Sequence, residues 1–290
     1  MCRMAARTGA EAPLSLLLRD LPHALYEQAY RPRMQHQGSV NVDGTGVVWW
    51  PPGESEPLRY ASDLPPWSDP NLPHLAPRLR ATAQLAAVRS GTPGLPYGPS
   101  AAAPFLNDGV AVAHNGRIDE FPGPVGRELL AELPDDLLGR IGLLTDSVVL
   151  ALTVARRRRE DPGVGLGGAV AATVSEVERR CVAAGRAATL TMLACDGARI
   201  VGVRAAIGSR QGGTRRAATL FTTRRDGTAL AASEPLDDVG DWTELPDRHL
   251  VELTPGQARL TPLPSPRPAP SPNPGGAPAQ HPTANLETAG

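Results

Sequence analysis

Lysine is absent from the chain, and all 29 of its basic residues are arginine. Thirty acidic residues balance them to a net charge of −1, so the arginines reflect a coding bias and not the basic face of a nucleic-acid binder. Aromatic residues make up only 4%. No apolar run approaches the roughly 20 residues of a membrane span, and no charged-then-apolar leader opens the chain. These absences predict a cytoplasmic protein with neither membrane nor nucleic acid as partner. Cysteine is scarce as well: Cys2, Cys181 and Cys195 form no CxxC pair and no Cys/His ligand spacing. A disulfide framework and a zinc-finger type of metal site are thereby excluded, and no cofactor is expected. At 290 residues the chain can bury one large core or two small ones without such staples.

What is present begins at the second residue. A small residue after Met1 lets an aminopeptidase expose Cys2, which then carries a thiol and a free α-amino group together. With reference pKa values of about 8.5 for the thiol and 7.7–8.0 for the amine, the amine can take the thiol proton at neutral pH. One residue thus supplies nucleophile and base. A cysteine at this position is also compatible with no function at all, so the remaining chemistry must come from elsewhere in the chain.

Taken in order, Pro13–Asp20 and His23–Tyr30 read as short helices, and Val47–Trp50 as a strand after the turn-like Asp43, Gly44 and Gly46. A proline-rich loop carrying Trp67 and a short helix at Leu75–Ala81 lead to the apolar strand Gln84–Val88. That strand ends at Arg89, which is either a surface arginine entering a turn or a fixed clamp for a carboxylate where a core strand opens onto a loop. Strand Val110–Ala113 is followed by His114, Asn115 and Gly116. Asn-Gly after a strand is a common tight-turn signal; alternatively the Asn115 amide and the Gly116 N–H aim at one oxygen as neutral oxyanion donors. His114 is expected to be a packed histidine. A helix at Gly126–Leu133 precedes Thr145, Asp146 and Ser147, where Asp146 is a helix-capping or first-turn acid, able also to face a ligand ammonium. Helix Val148–Arg159 ends in four arginines expected to be solvated, and Gly163, Gly165 and Gly168 follow a helix, not a strand, so they read as a loop into helix Ala169–Ala184. Strands then dominate: Ala188–Ala194, Arg199–Val203, Ala217–Thr223, Thr228–Ala232 and His249–Leu253, with Asp196–Gly197 and Asp226–Gly227 as hairpin turns. This order suits a layered α+β sandwich in which helices cover antiparallel sheets. Residues 263 to 290, rich in proline, are expected to form a disordered tail, leaving 2 to 262 as the folded domain.

The opening MCR, then NVDGTG, RSGTPGLP, PF before AVAHNG, TDSVV, and ASEPLDD with Trp242 nearby occur in the order found in class II glutamine amidotransferases, which are N-terminal-nucleophile hydrolases. The chain resembles that family from residue 2 to about 262. More narrowly, LPHALYEQAYRPR, and SEPLDD followed by DWTELPDRHLVEL, are similar to the stand-alone γ-glutamyl hydrolases of ergothioneine biosynthesis. The resemblance implies a four-layer αββα sandwich. It also implies Cys2 as nucleophile with its own amine as base, Asn115 and Gly116 as oxyanion donors, Arg89 for the substrate α-carboxylate and Asp146 for its α-ammonium. Thr92 and Gly94 would shape the glutamyl pocket, and Asn41, Asp43, Gly44 and Gly46 would pack beside the nucleophile. Met4 and Thr45 depart from the family pattern, standing where histidine and an aromatic residue are usual.

The implied partner is a small γ-glutamyl molecule, specifically γ-glutamyl hercynylcysteine S-oxide, with glutamate as one product; the sequence says nothing of oligomeric state. No second catalytic domain is expected after the first, which favours a free-standing hydrolase. The alternatives are a glutaminase-type subunit that supplies ammonia to a separate synthase, and a catalytically silent binding protein that uses its tail for proline-motif recognition.

Overall fold

Alanine, not valine or isoleucine, supplies the apolar positions of the first strand's middle. The computed structural model describes residues 2–35, 38, 40–91, 97–208 and 216–264. In it the eleven residues after Cys2 form β1 (Arg3–Pro13), a strand that periodicity and β-propensity leave unannounced because RMAARTGAEAP holds no valine or isoleucine. Then follow a single π-helical turn at Leu16–Asp20, α1 (Leu25–Tyr30), β2 (Thr45–Trp50), β3 (Leu58–Ser62), α2 (Leu72–Leu75) and β4 (Arg80–Val88). Where the sequence suggests a helix reaching Ala81, the helix stops at Leu75 and β4 begins at Arg80. Next come β5 (Phe105–Asn107), β6 (Val110–Ile118), α3 (Gly123–Ala131), α4 (Asp135–Leu138), α5 (Asp146–Glu160) and α6 (Gly165–Ala184). The chain ends in β7 (Ala188–Cys195), β8 (Ile200–Ile207), β9 (Phe221–Arg225), β10 (Thr228–Ala232), β11 (Thr243–Glu244), β12 (His249–Leu253) and β13 (Ala258–Pro262). The expected tail lies outside the described residues from 265 onward.

Among the described residues these strands build two antiparallel sheets, ordered β11-β9-β10-β1-β4-β2-β3 and β13-β12-β8-β7-β6-β5. Because side chains alternate across a strand, β1 sends Met4 and Ala6 toward the second sheet and Ala5 toward the helices. The layer between the sheets is lined by small residues, Ala83, Ala87, Ala111, Ala113, Ala229 and Ala231 among them, with Trp50 and Leu193 filling the wider gaps. Small side chains on both facing surfaces let two sheets stack closely, which is why alanine strands hold here. Outside the first sheet, Leu14, Leu17, Leu18 and Leu25 cover Val47, Trp49 and Val88. Outside the second, α3, α5 and α6 cover Val112, Leu190, Met192 and Val203. The fold is therefore the four-layer αββα sandwich expected from the resemblance.

Local chemistry fixes the ends of these elements. Thr145 caps α5 by accepting from the Val148 N–H at 3.2 Å, so Asp146 is a first-turn acid. Gly185 ends α6 in a left-handed conformation, φ 61°, donating to Cys181 and Val182. Asp196–Gly197 and Asp226–Gly227 make the expected hairpins between β7 and β8 and between β9 and β10. The four arginines ending α5 are not a solvated run. Arg156 is buried against Glu176 at 2.9 Å, Arg157 shares that carboxylate, Arg158 pairs with Asp196, and Arg159 pairs with Asp108 and Asp136. No helix among the described residues is long and apolar enough to cross a membrane.

The ASEPLDD segment contributes a buried staple. Asp237, only 4% exposed, accepts from both terminal nitrogens of Arg225, from the Trp242 indole at 3.1 Å and from the Val239 N–H at 3.2 Å. Burial pushes its pKa up, but the bonds from Arg225 and Trp242 outweigh it and hold the carboxyl below its ordinary range. A depressed folded-state pKa adds stability that is present above the unfolded value, near 3.9, and is lost as pH falls through the folded one. Asp237→Asn is expected to cost about 2 kcal/mol at neutral pH, with the gap to wild type closing as pH falls below about 4. Thermal midpoints measured across that range check this, and a pH-independent gap would refute the charge-based account.

Candidate active site

The first sheet brings one end of β1, β4 and β2 together. Antiparallel register pairs Arg3 with Val88 and Thr45 with Val88, so one step further Cys2 lies across from Arg89, and Gly44 lies on the other side of Arg89. Backbone bonds confirm the second neighbour: the Arg89 N–H donates to Gly44 O at 2.8 Å and the Asp43 N–H to Arg89 O at 2.9 Å. Asp43 and Gly44 are thus a strand extension that props the arginine, not the hairpin turn that DG suggests in isolation. Arg89 is 8% exposed, and its guanidinium donates to Asp43 O at 3.3 Å and lies over the Tyr97 ring at 5.7 Å. No carboxylate partner within ion-pair distance accompanies it among the described residues. The Asp43 carboxylate is turned to the Gly91 N–H, at 2.6 Å. A nearly buried arginine that makes no ion pair among the described residues, its neighbouring Asp43 carboxylate engaged by the Gly91 N–H, is suited to receive an anionic group.

The second sheet supplies the opposing wall. β6 runs straight through His114, Asn115 and Gly116, with Asn115 opposite Thr191 and Gly116 opposite Leu190 on β7, so the Asn-Gly pair is not a turn. The reason for glycine is steric: a Cβ at residue 116 would sit 1.8 Å from the Thr189 carbonyl oxygen. The Asn115 side chain reaches Cys2 directly, its Oδ1 accepting from the Cys2 N–H at 3.2 Å. Its Nδ2 is buried and has no hydrogen-bond partner among the described residues. An unsatisfied buried amide costs free energy at rest, and such groups concentrate where a ligand completes them.

Asp146 holds the end of β6 to the start of α5. Its two oxygens accept from the Ile118 N–H at 2.9 Å and the Ser147 N–H at 2.7 Å. His114 is the packed histidine the sequence suggests. Its Nε2–H donates to Thr189 O at 3.2 Å, leaving Nδ1 to accept from the Ser147 hydroxyl at 2.9 Å. Burial pushes its pKa down against the attraction of Asp146, so the ring is neutral and fully committed. Of the three thiols only Cys2 is not buried; Cys181 and Cys195 are, and burial raises the Cys195 thiol to about 12. Thr92 and Gly94 lie outside the described residues. The two departures from the family pattern are both buried: Met4 is in the inter-sheet layer, and Thr45 donates its hydroxyl to Leu64 O at 3.0 Å.

Sequence reasoning missed the group that holds Cys2 in place. Arg3 is fully buried; its Nε donates to Cys2 O at 2.9 Å and its Nη1 to Glu234 at 3.1 Å. Glu234, equally buried, also accepts from the Arg33 N–H at 2.8 Å. Next to it, the Ser233 hydroxyl accepts from the Met4 N–H at 3.1 Å and the Ser233 N–H donates to Met4 O at 2.9 Å. The available signal was a pair of charges, Arg3 and Glu234, set in otherwise small apolar stretches.

No protein-family model matches the chain. The γ-glutamyl-hercynylcysteine sulfoxide hydrolase of Mycolicibacterium smegmatis is 35% identical over 263 residues, covering 91% of this chain and 100% of that protein. The hydrolase of the same name from Mycobacterium tuberculosis (strain H37Rv) is 35% identical, covering 91% of this chain and 97% of that protein. Among solved structures, a class II glutamine aminotransferase domain protein from Silicibacter pomeroyi shares the fold with a TM-score of 0.63 at 21% identity, covering 91% of this chain and 100% of its own.

Proposed function

The chain belongs to the family of the γ-glutamyl-hercynylcysteine sulfoxide hydrolases, and from that membership we propose that it cleaves the γ-glutamyl amide bond of γ-glutamyl hercynylcysteine S-oxide. The products are glutamate and hercynylcysteine S-oxide, a step of ergothioneine biosynthesis. The observation that carries the reading is the Asn115 amide, one end on the Cys2 nitrogen at 3.2 Å and the other a buried donor with no partner among the described residues.

In the processed protein the Cys2 α-amine takes the thiol proton, and the thiolate attacks the γ-carbonyl carbon. Negative charge moves to the carbonyl oxygen, where Asn115 Nδ2 and the Gly116 N–H receive it. Collapse breaks the C–N bond; the α-ammonium of Cys2 returns its proton to the departing nitrogen, leaving a γ-glutamyl thioester. The amine then takes a proton from water, whose oxygen attacks the thioester, and collapse frees glutamate and restores the thiol. Arg89 grips the substrate α-carboxylate and Asp146 its α-ammonium, fixing the zwitterionic end so that the γ-carbon is delivered to the sulfur.

Glutamate release by methionine-processed protein, with the sulfoxide and with glutamine as separate substrates, tests this. Cleavage of the sulfoxide that disappears in Cys2→Ala and in protein retaining Met1 is expected, with little glutaminase activity. Preference for glutamine would indicate an ammonia-supplying subunit, and turnover by protein that still carries Met1 would exclude the α-amine as base.

A further inference from the structure

Three exposed or half-buried aromatic rings stand together, in a chain where aromatics are only 4% of residues. Tyr26 and Tyr30 lie one turn apart on the same face of α1. Trp67 meets them from the loop between β3 and α2. The centroids are 6.3 Å (Tyr26 to Tyr30), 6.0 Å (Tyr26 to Trp67) and 5.8 Å (Tyr30 to Trp67) apart, and the ring planes cross at 88°, 70° and 81°. Each ring is close to perpendicular to the other two, like three walls of a corner. Tyr30 remains 43% and Trp67 38% exposed, so the cluster is not a closed core. A cation held about 4 to 5 Å in front of each of three perpendicular rings needs centroids about 6 to 7 Å apart, which is nearly the spacing found.

Both sides of this corner are tied to the glutamyl clamp. Ala29 and Gln28 accept from the backbone and side-chain nitrogens of Asn41, at 2.6 and 3.0 Å, and Asn41 opens the strand extension that props Arg89. Arg33, three residues beyond Tyr30, rests on Glu234 and so on Arg3 beside the nucleophile. Trp67 follows Leu64, whose carbonyl is latched by Thr45, the neighbour of Gly44. Buried Asp69 pins the far side of the loop, accepting from the Tyr60 hydroxyl at 2.6 Å and from the Asn71 and Leu72 N–H groups. The rings therefore stand at the Cys2 and Arg89 end of the first sheet, on its helix-covered side.

We propose that Tyr26, Tyr30 and Trp67 form an aromatic box that receives the trimethylammonium group of the leaving amine, a proposal that rests on the substrate reading above. A hercynyl group is a histidine betaine whose α-nitrogen carries three methyl groups. That cation has no N–H to donate, so neither Asp146 nor a backbone carbonyl can recognise it by hydrogen bonding. The negative faces of aromatic rings can, and they discriminate it from a primary ammonium, which prefers water and carboxylates. The box would thus set the choice of leaving group, while Arg89 and Asp146 read the glutamyl end common to every γ-glutamyl substrate.

The test is binding to the inactive Cys2→Ala protein by calorimetry, comparing γ-glutamyl hercynylcysteine S-oxide with its unmethylated histidyl analogue. The trimethylated compound is expected to bind about tenfold more tightly, an advantage lost in Trp67→Leu and kept within about threefold in Trp67→Phe, which retains a π face. In the active protein Trp67→Leu should raise KM for the sulfoxide. Equal affinity for the two compounds, or equal loss of both in Trp67→Leu, overturns the box even where the sulfoxide is hydrolysed normally. Conversely, methyl-dependent binding without Cys2-dependent cleavage would leave the box standing and overturn the hydrolase reading.

Discussion

Asn115→Ala is expected to slow glutamate release by about 10² to 10³ without unfolding the protein. In the resting protein the buried Nδ2 group has no hydrogen-bond partner among the described residues and carries a desolvation cost, which an oxyanion forming in front of it would repay. The loss should therefore fall on kcat and kcat/KM together and leave KM nearly unchanged, the signature of an interaction made in the transition state. Alanine also removes Oδ1, the acceptor of the Cys2 N–H at 3.2 Å, so part of the effect could reside in the base and not in the oxyanion. Asn115→Asp separates the two. It keeps an oxygen for the Cys2 nitrogen while replacing the donor by a second acceptor, and is expected to be at least as slow as the alanine variant. Steady-state kinetics of both variants beside thermal melts settle the point; wild-type kcat in either would remove Asn115 from the oxyanion site.

As candidate donors, Asn115 and Gly116 were legible in the sequence only through their ordered company. Asn115–Gly116 by itself spells a turn, yet β6 continues through it, because pairing with β7 decides the backbone and a Cβ at residue 116 has no room beside Thr189. The same competition governs Asp43–Gly44, which looks like a hairpin but pairs with Arg89. Strands with branched apolar runs, such as Val47–Trp50, were readable from pattern alone, whereas β1 was not: its stability lies in two flat neighbours and an alanine-lined inter-sheet layer, a tertiary property. Arg156 illustrates the opposite error. A run of arginines looks solvated in one dimension, but Glu132, just past the end of α3, and Glu176 of α6 pair with Arg156 in three. Arg3 and Glu234, 231 positions apart, could not be paired by any local rule.

That buried pair carries the other large expected effect. Glu234→Gln leaves the Arg3 guanidinium charged, fully buried and without a counter-charge, a change that typically costs about 3 to 5 kcal/mol. It also presents an amide that can accept from the Arg33 N–H or from Arg3, not from both as the carboxylate does. Because Arg3 Nε holds the Cys2 carbonyl at 2.9 Å, a shifted guanidinium moves the nucleophile and its amine relative to Asn115, and activity should fall with stability. The double variant Arg3→Met/Glu234→Gln distinguishes positioning from mere folding. Removing both charges relieves the uncompensated burial, so the melting temperature should recover toward wild type. The rate should not, since methionine cannot donate to Cys2 O. Recovery of kcat along with stability would show that the pair serves the fold alone; recovered stability with a depressed kcat and an unchanged KM would make Arg3 the residue that aims the N-terminal nucleophile.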